Sequence, residues 1–356
     1  MSSSIRCSGP YMEAFSWFVL FLLQVRMLTF TLASAQVQLP AMFVFGDSLL
    51  DAGNNNDYIT LAKANYPPNG IDFPYGATGR FCNGATIVDH LGYLLGLGVI
   101  PAFNDPSTQG PKILQGVNFA SSGAGILNDT GNRAGQVLAM YQQVEAFGNM
   151  VLPEMRSLLL TSNEDATTNF DDYLAKSLFV SDIGNDDFLN HYFVHMANPL
   201  HKKKLYKFGA RKFLVFGLGV LGCIPNIIRS YSQDSKQCFE EFNEISVKYN
   251  AKVKTMVLQL NQELSGVYIL YWDIYTNMRQ VLDNPSEYGF KYSHTGCCDC
   301  IVICLPGNLV CPDRSQYVFW DDFHPTDVAN EILAKQAYKG TIQTTYPMNV
   351  KQLLQL

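Results

Sequence analysis

The chain has 356 residues, 47% of them hydrophobic and 16% charged, with a formal net charge of −6. Such an apolar share supplies a full core and excludes an intrinsically disordered chain. The acidic balance offers no basic surface for nucleic acid and no attraction to an anionic membrane.

The N-terminus reads as a targeting segment. Arg6 precedes an apolar stretch over residues 15–25, Arg26 interrupts it, and residues 27–32 continue it. Ala33-Ser34-Ala35 supplies the small-x-small pattern that signal peptidase needs, with Gln36 as the mature start. A membrane anchor is the competing reading, but Arg26 cuts the run below the roughly 20 residues a span requires. Residues 1–35 are therefore expected to be a cleaved signal peptide. Residues 36–356 are expected to be a single secreted domain without a membrane span.

Apolar, β-branched runs over residues 41–45, 116–120, 177–183, 212–217 and 266–272 predict five strands. Helical periodicity over residues 86–95, 136–160, 246–264 and 326–337 predicts helices among and after them. This alternation predicts an α/β sandwich with helices on both faces of a parallel sheet. No linker, repeat or low-complexity tract interrupts it.

In open sheets of this kind, ligands sit beyond the carboxyl ends of the strands. The first strand ends in Phe45-Gly46-Asp47-Ser48, which presents Ser48 at the opening of a loop. A serine hydroxyl becomes a nucleophile only when a base takes its proton. The second strand leads into Ser121-Ser122-Gly123-Ala124-Gly125, small residues that let backbone approach a ligand. Gly123 is placed to offer its N–H to an oxyanion.

The candidate base lies in Asp321-Asp322-Phe323-His324-Pro325-Thr326. Pro325 disfavours helical geometry at His324, Thr326 is a suitable N-cap, and Asp327 suits the positive end of the helix that follows. His324 is thus held on a loop, where Asp321 can fold back onto the imidazole and fix its tautomer. A lone Asp-x-x-His is more often a capping turn, and the Gly-Asp-Ser turn reverses that weighting. His191 and His195 are four apart and could share a helix face, but no carboxylate or thiolate spacing supports a metal site there. His90 is expected to be packed in the core. The chain has no G-x-S-x-G elbow, which argues against an α/β-hydrolase.

Cys7 leaves with the signal. The other eight cysteines (Cys82, Cys223, Cys238, Cys297, Cys298, Cys300, Cys304 and Cys311) are expected to form disulfides, with connectivity open. The crowded run from Cys297 to Cys311 lacks the two cleanly spaced C-x-x-C pairs of a zinc site. Asn128-Asp129-Thr130 is a glycosylation sequon.

Further motifs follow in order: Gly79-Arg80-Phe81-Cys82-Asn83-Gly84, Gly209-Ala210-Arg211-Lys212-Phe213, residues 219–225, Cys311-Pro312-Asp313-Arg314 and Tyr346-Pro347. Together with the Ser48 and His324 segments they span nearly the whole mature chain. They resemble the GDSL esterase/lipase family of the SGNH hydrolase superfamily, in its plant secreted form. The resemblance implies a flavodoxin-like three-layer α/β/α sandwich with a parallel five-stranded sheet of order 2-1-3-4-5. It makes Ser48 the nucleophile, His324 the general base and then acid, and Asp321 its orienting partner. It places the oxyanion on the N–H groups of Ser48 and Gly123 and on an asparagine side chain after strand 3. The implied activity is hydrolysis of small-molecule acyl or lipid esters through an acyl-enzyme, without metal or cofactor, in the cell wall or apoplast.

Two places depart from the family. Where relatives carry Gly-x-Asn-Asp, this chain has Gly184-Asn185-Asp186-Asp187, so Asp186 stands in the asparagine's place. An ionised carboxylate there would repel an oxyanion, and loss of one donor costs roughly 2.7–4 kcal/mol. Three ways out are open: Asp186 keeps a proton, Asn185 takes the role, or the enzyme runs slowly on two backbone donors. The second departure is His201-Lys202-Lys203-Lys204, a solvated cluster that runs directly into Leu205 where relatives carry a long amphipathic helix. Residues 183–212 still suffice for a parallel crossover, but the sheet face beneath is expected to be less covered. These departures keep one alternative open: a catalytically impaired relative that binds lipid or cell-wall ligands.

Overall fold

The computed structural model describes residues 39–162, 166–191, 200–234 and 237–356. One compact unit spans Gln38–Leu356, and the expected signal peptide lies outside the described residues. Strands β1 (Met42–Gly46), β2 (Leu178–Asp182), β3 (Lys212–Phe216) and β4 (Tyr268–Trp272) pair in parallel. In register, Val44, Val180, Leu214 and Leu270 form one row across the sheet. Helices cover both faces of such a sheet, which is why its strands are continuous apolar runs without alternation. β5 (Tyr292–Gly296) and β6 (Tyr317–Phe319) form a separate small pair. β7 (Thr345–Tyr346) closes the main sheet by pairing antiparallel with β4.

The expected all-parallel five-stranded sheet is therefore corrected. Its hydrogen-bonded order is β1-β2-β3-β4-β7, with an antiparallel edge. Residues 116–120 lie beside β1 on the expected side, but through a single parallel bridge between Val44 and Asn118. Side chains take over where a ladder would continue. Asn118 donates from Nδ2 to the Leu50 carbonyl and accepts the Ala120 N–H, while Asn54 Nδ2 donates to the carbonyls of Asn118 and Ala120.

The helices are α1 (Ile87–Leu95), α2 (Met140–Ala146), α3 (Leu152–Ser162), α4 (Ala166–Lys176), α5 (Asn185–His191), α6 (Leu200–Lys207), α7 (Pro225–Tyr231), α8 (Glu240–Glu263), α9 (Ile274–Asp283) and α10 (Asp327–Lys339). Thr86 caps α1 and Thr326 caps α10 through side-chain bonds to backbone N–H groups. A π-helical turn at Phe147–Val151 joins α2 to α3 and turns Phe147 into the sheet. Its ring meets Phe43 at 5.0 Å and Phe179 at 5.5 Å, the aromatic centre of that face.

The shortened crossover does not bare the sheet as expected. Leu205 of α6 is buried, and Phe208 packs against Phe147 and fills the space beside Gly148. Phe179, Val180, Phe213 and Leu214 beneath are at most 2% exposed.

Three carboxamides recur in one role. Gln143 of α2 pairs with both the N–H and the C=O of Gly46. From α8, Asn250 does the same for Leu218 and Asn261 for Ile269. Each closes backbone groups that would otherwise be buried without partners.

Cys223–Cys238, Cys297–Cys311 and Cys298–Cys304 are disulfides. The expectation that all eight cysteines pair is corrected: Cys82 and Cys300 are thiols. Cys82 is buried among hydrogen-bond partners, the Gly84 N–H and the Asn330 amide, instead of a second sulfur. No group of metal-ligating side chains occurs among the described residues, and no described helix is long and apolar enough to cross a membrane. His90 is not packed in the core as expected; it is half-buried, with Nε2 3.0 Å from Asp327 Oδ1. His191 closes α5, and His195 lies outside the described residues.

Candidate active site

β1 stops at Gly46, where a Cβ would lie 2.5 Å from the Asp182 carbonyl oxygen. Only glycine lets β2 approach this closely. The chain then turns through Asp47, whose carboxylate accepts the Leu49 N–H, and Ser48 emerges into a cavity. On the opposite wall, Trp320 N–H donates to the His324 carbonyl, and Asp321 Oδ1 accepts the N–H groups of Phe323 and His324. That small turn fixes the imidazole. Its Nδ1 lies 2.9 Å from both Asp321 oxygens, and its Nε2 lies 2.8 Å from Ser48 Oγ. Residues 276 positions apart meet here, and the Phe81 ring covers the imidazole with centroids 5.0 Å apart.

Gly123 also lines the cavity, with a φ of +83° that suits glycine. The N–H groups of Ser48 and Gly123 have no acceptor among the described residues. The loop carrying Gly123 is tied to α5 by Asp187, which accepts the N–H groups of Ile126 and Leu127 and the hydroxyl of Thr130. Asn128 of the sequon is exposed, whereas Thr130 is buried.

The turn after β2 collects acids. Asn185 Nδ2 donates to Asp47 at 3.2 Å and to Asp182 at 3.3 Å, so both amide hydrogens are committed. That removes Asn185 from the donors available to a ligand. Asp186 lines the cavity beside Ser48 and Gly123. Burial, with the carboxylates of Asp47 and Asp187 nearby, pushes its pKa well above the usual carboxylate range. Burial and Asp47 do the same to Asp182. Asp47 is pushed up to about 6 by burial, against the opposing Leu49 N–H.

The cavity measures about 780 Å³. Its walls are mostly apolar, among them Leu61, Phe188, Val220, Ile224, Phe242 and Met278, and its only ionisable side chains besides Tyr231 are Asp47, Asp186 and His324. The family model of GDSL-like lipases and acylhydrolases matches residues 42–337, from the first residue of β1 into α10, and so brackets both halves of the Ser48–His324 pair.

The chain belongs to the GDSL-like lipase/acylhydrolase family.

Two Arabidopsis thaliana proteins, each named a GDSL esterase/lipase, are 41% and 40% identical to it. The alignments cover 89% of this chain and 86% of the first relative, and 90% of this chain and 91% of the second. GDSL esterase/lipase 7 of the same plant is 37% identical, over 89% of this chain and 92% of its own length.

In this GDSL chain the structure brings together Ser48, Gly123, Asp186, Asp321 and His324, all expected from sequence. Reading the sequence missed the far wall, formed by α7 and α9, and the Gln143 clamp behind Gly46. Signals were present for the two helices: Pro225 at the start of α7, and Ile274, Met278, Val281 and Leu282 on one face of α9. Nothing in the sequence marks Gln143.

Proposed function

We propose that this chain hydrolyses carboxylic esters of acyl or lipid type, through an acyl-enzyme, outside the cell. The observation that carries the reading is the 2.8 Å contact between His324 Nε2 and Ser48 Oγ, with Nδ1 held by Asp321. His324 takes the serine proton as Oγ attacks the ester carbonyl, and Asp321 stabilises the imidazolium that forms. Collapse of the tetrahedral intermediate expels the alcohol, which receives that proton from His324. Water then attacks the acyl-enzyme by the same route.

The oxyanion is held by the N–H groups of Ser48 and Gly123, with neutral Asp186 as third donor. A carboxylic acid kept protonated by its surroundings donates a hydrogen bond as an amide does. The raised pKa of Asp186 supports this role, and the committed amide of Asn185 speaks against the substitute. Secretion rests on the N-terminal targeting pattern and on three disulfides, which persist in oxidising compartments. Asn128 is an exposed acceptor for a glycan there. Residues 36–356 are the mature domain. No observation favours the impaired, ligand-binding alternative.

Secreted protein incubated with p-nitrophenyl butyrate should release nitrophenol, and Ser48→Ala should abolish the release. Equal rates for the two proteins would overturn the reading.

A further inference from the structure

The cavity follows the sheet edge. Ser48 stands past β1, Asn185 and Asp186 past β2, Gly219 and Val220 past β3, and Ile274 and Met278 past β4. Neighbouring strands are about 4.8 Å apart, so the path from β1 to β4 is roughly 14 Å long. Beyond the reacting end its walls are Val220, Ile224, Phe242, Ile274 and Met278, all buried and none ionisable.

Gly219 is the narrow point. Its φ lies outside the left-handed region, so the backbone does not require glycine there. A Cβ would meet only Met278 Sδ, at 3.6 Å, an ordinary contact. The other cavity glycines differ. Gly123 and Gly131 have positive φ, and a Cβ at Gly131 would collide with the Gly123 carbonyl. Gly219 thus has no steric need to be glycine, and its bareness opens a passage toward the flexible thioether of Met278.

The direction of the substrate follows from proton transfer. His324 must return its proton to the leaving oxygen, so the alcohol lies on the imidazole side, near Phe81 and Phe323. The arm of the tetrahedral carbon left over points along the strand ends.

We propose that the acyl chain of the substrate runs from Ser48 across the strand ends and between Gly219 and Met278, and that the bare Gly219 sets the longest chain accepted. This rests on the hydrolase reading and names its substrate class as esters of medium to long, unbranched acyl chains.

The test is the ratio of kcat/KM on p-nitrophenyl laurate to that on p-nitrophenyl acetate. Gly219→Val should lower that ratio about tenfold or more, since one methylene in an apolar pocket discriminates by at least that much. Met278→Phe narrows the passage from the opposite wall and should act in the same direction, which covers the case of a Gly219→Val protein that does not fold. Ratios within about twofold of wild type in both variants would overturn the proposal. So would an unchanged acyl ratio combined with a lost preference among long-chain alkyl acetates, because the arm would then hold the alcohol. Binding separates this proposal from the reading beneath it: laurate titrated calorimetrically into Ser48→Ala protein should bind about tenfold more weakly once Gly219→Val is added. Laurate binding that depends on Gly219, in a protein whose wild type hydrolyses no ester, would sink the hydrolase reading and leave the passage standing. Hydrolysis without any Gly219 dependence would sink the passage alone.

Discussion

The loop carrying Asp321 and the turn after β2 both bury acidic side chains beside one cavity, and they surround them differently. Around Asp321 the donors converge: the N–H groups of Phe323 and His324 and the imidazole itself. In the turn after β2, acid faces acid. Asp182 receives the Asn185 amide at one oxygen, its other oxygen has no partner among the described residues, and Asp47 and Asp186 lie close by. Desolvation penalises the charged form in both places, and only converging donors or a base offset it. One region can therefore orient a base, while the other holds protons it can donate.

Removing the carboxylate in each region should separate these roles. Asp321→Asn is expected to lower kcat about 10⁴-fold, because the amide no longer selects the imidazole tautomer that accepts the serine proton. Asp186→Ala should cost about 10²–10³ in kcat, the effect of one lost oxyanion donor. Asp186→Asn should stay within about threefold of wild type at neutral pH, since an amide donates in the same place. Equal losses for Asp321→Asn and Asp186→Asn would break the contrast.

A pH profile sharpens it. Wild-type kcat should fall as pH rises through the raised pKa of Asp186, because the anion repels the oxyanion, and Asp186→Asn should lose that alkaline limb. A limb that persists in the variant would remove Asp186 from the chemistry.

Stability should follow the same proton. A carboxyl with a folded pKa above its unfolded value of about 4 binds more protons in the fold. Its stabilisation is complete below that value and is lost as pH climbs through the folded pKa. Melting curves should therefore show Asp186→Asn gaining on wild type between pH 5 and pH 8. A constant gap would mean that Asp186 titrates normally. The smallest effect belongs to neither region: breaking the exposed Lys203–Glu263 pair by Lys203→Ala should change stability by less than about 1 kcal/mol.

The sequence was legible wherever one residue type has one physical reason. Four strands declared themselves because burial on both faces leaves only apolar runs. The site declared itself because Pro325 and Thr326 pin His324 ahead of α10. Residues 116–120 look like a strand by composition, but Asn54 and Asn118 compete for the backbone groups a ladder would use, and that competition is decided in three dimensions. Cysteine parity misled because an even count carries no information about which sulfurs come within bonding reach. β7, two residues long, is too short for any periodicity.

Gln143 and Asn250 reach from the covering helices to the last residues of β1 and β3, immediately before Ser48 and Gly219. The helical layer is consequently part of the template that aims the nucleophile and shapes the passage beside it. A chimera that swapped in another amphipathic α2 or α8 of equal hydrophobicity would rebuild the sandwich and still misalign its working edge, unless the two carboxamides travelled with the graft.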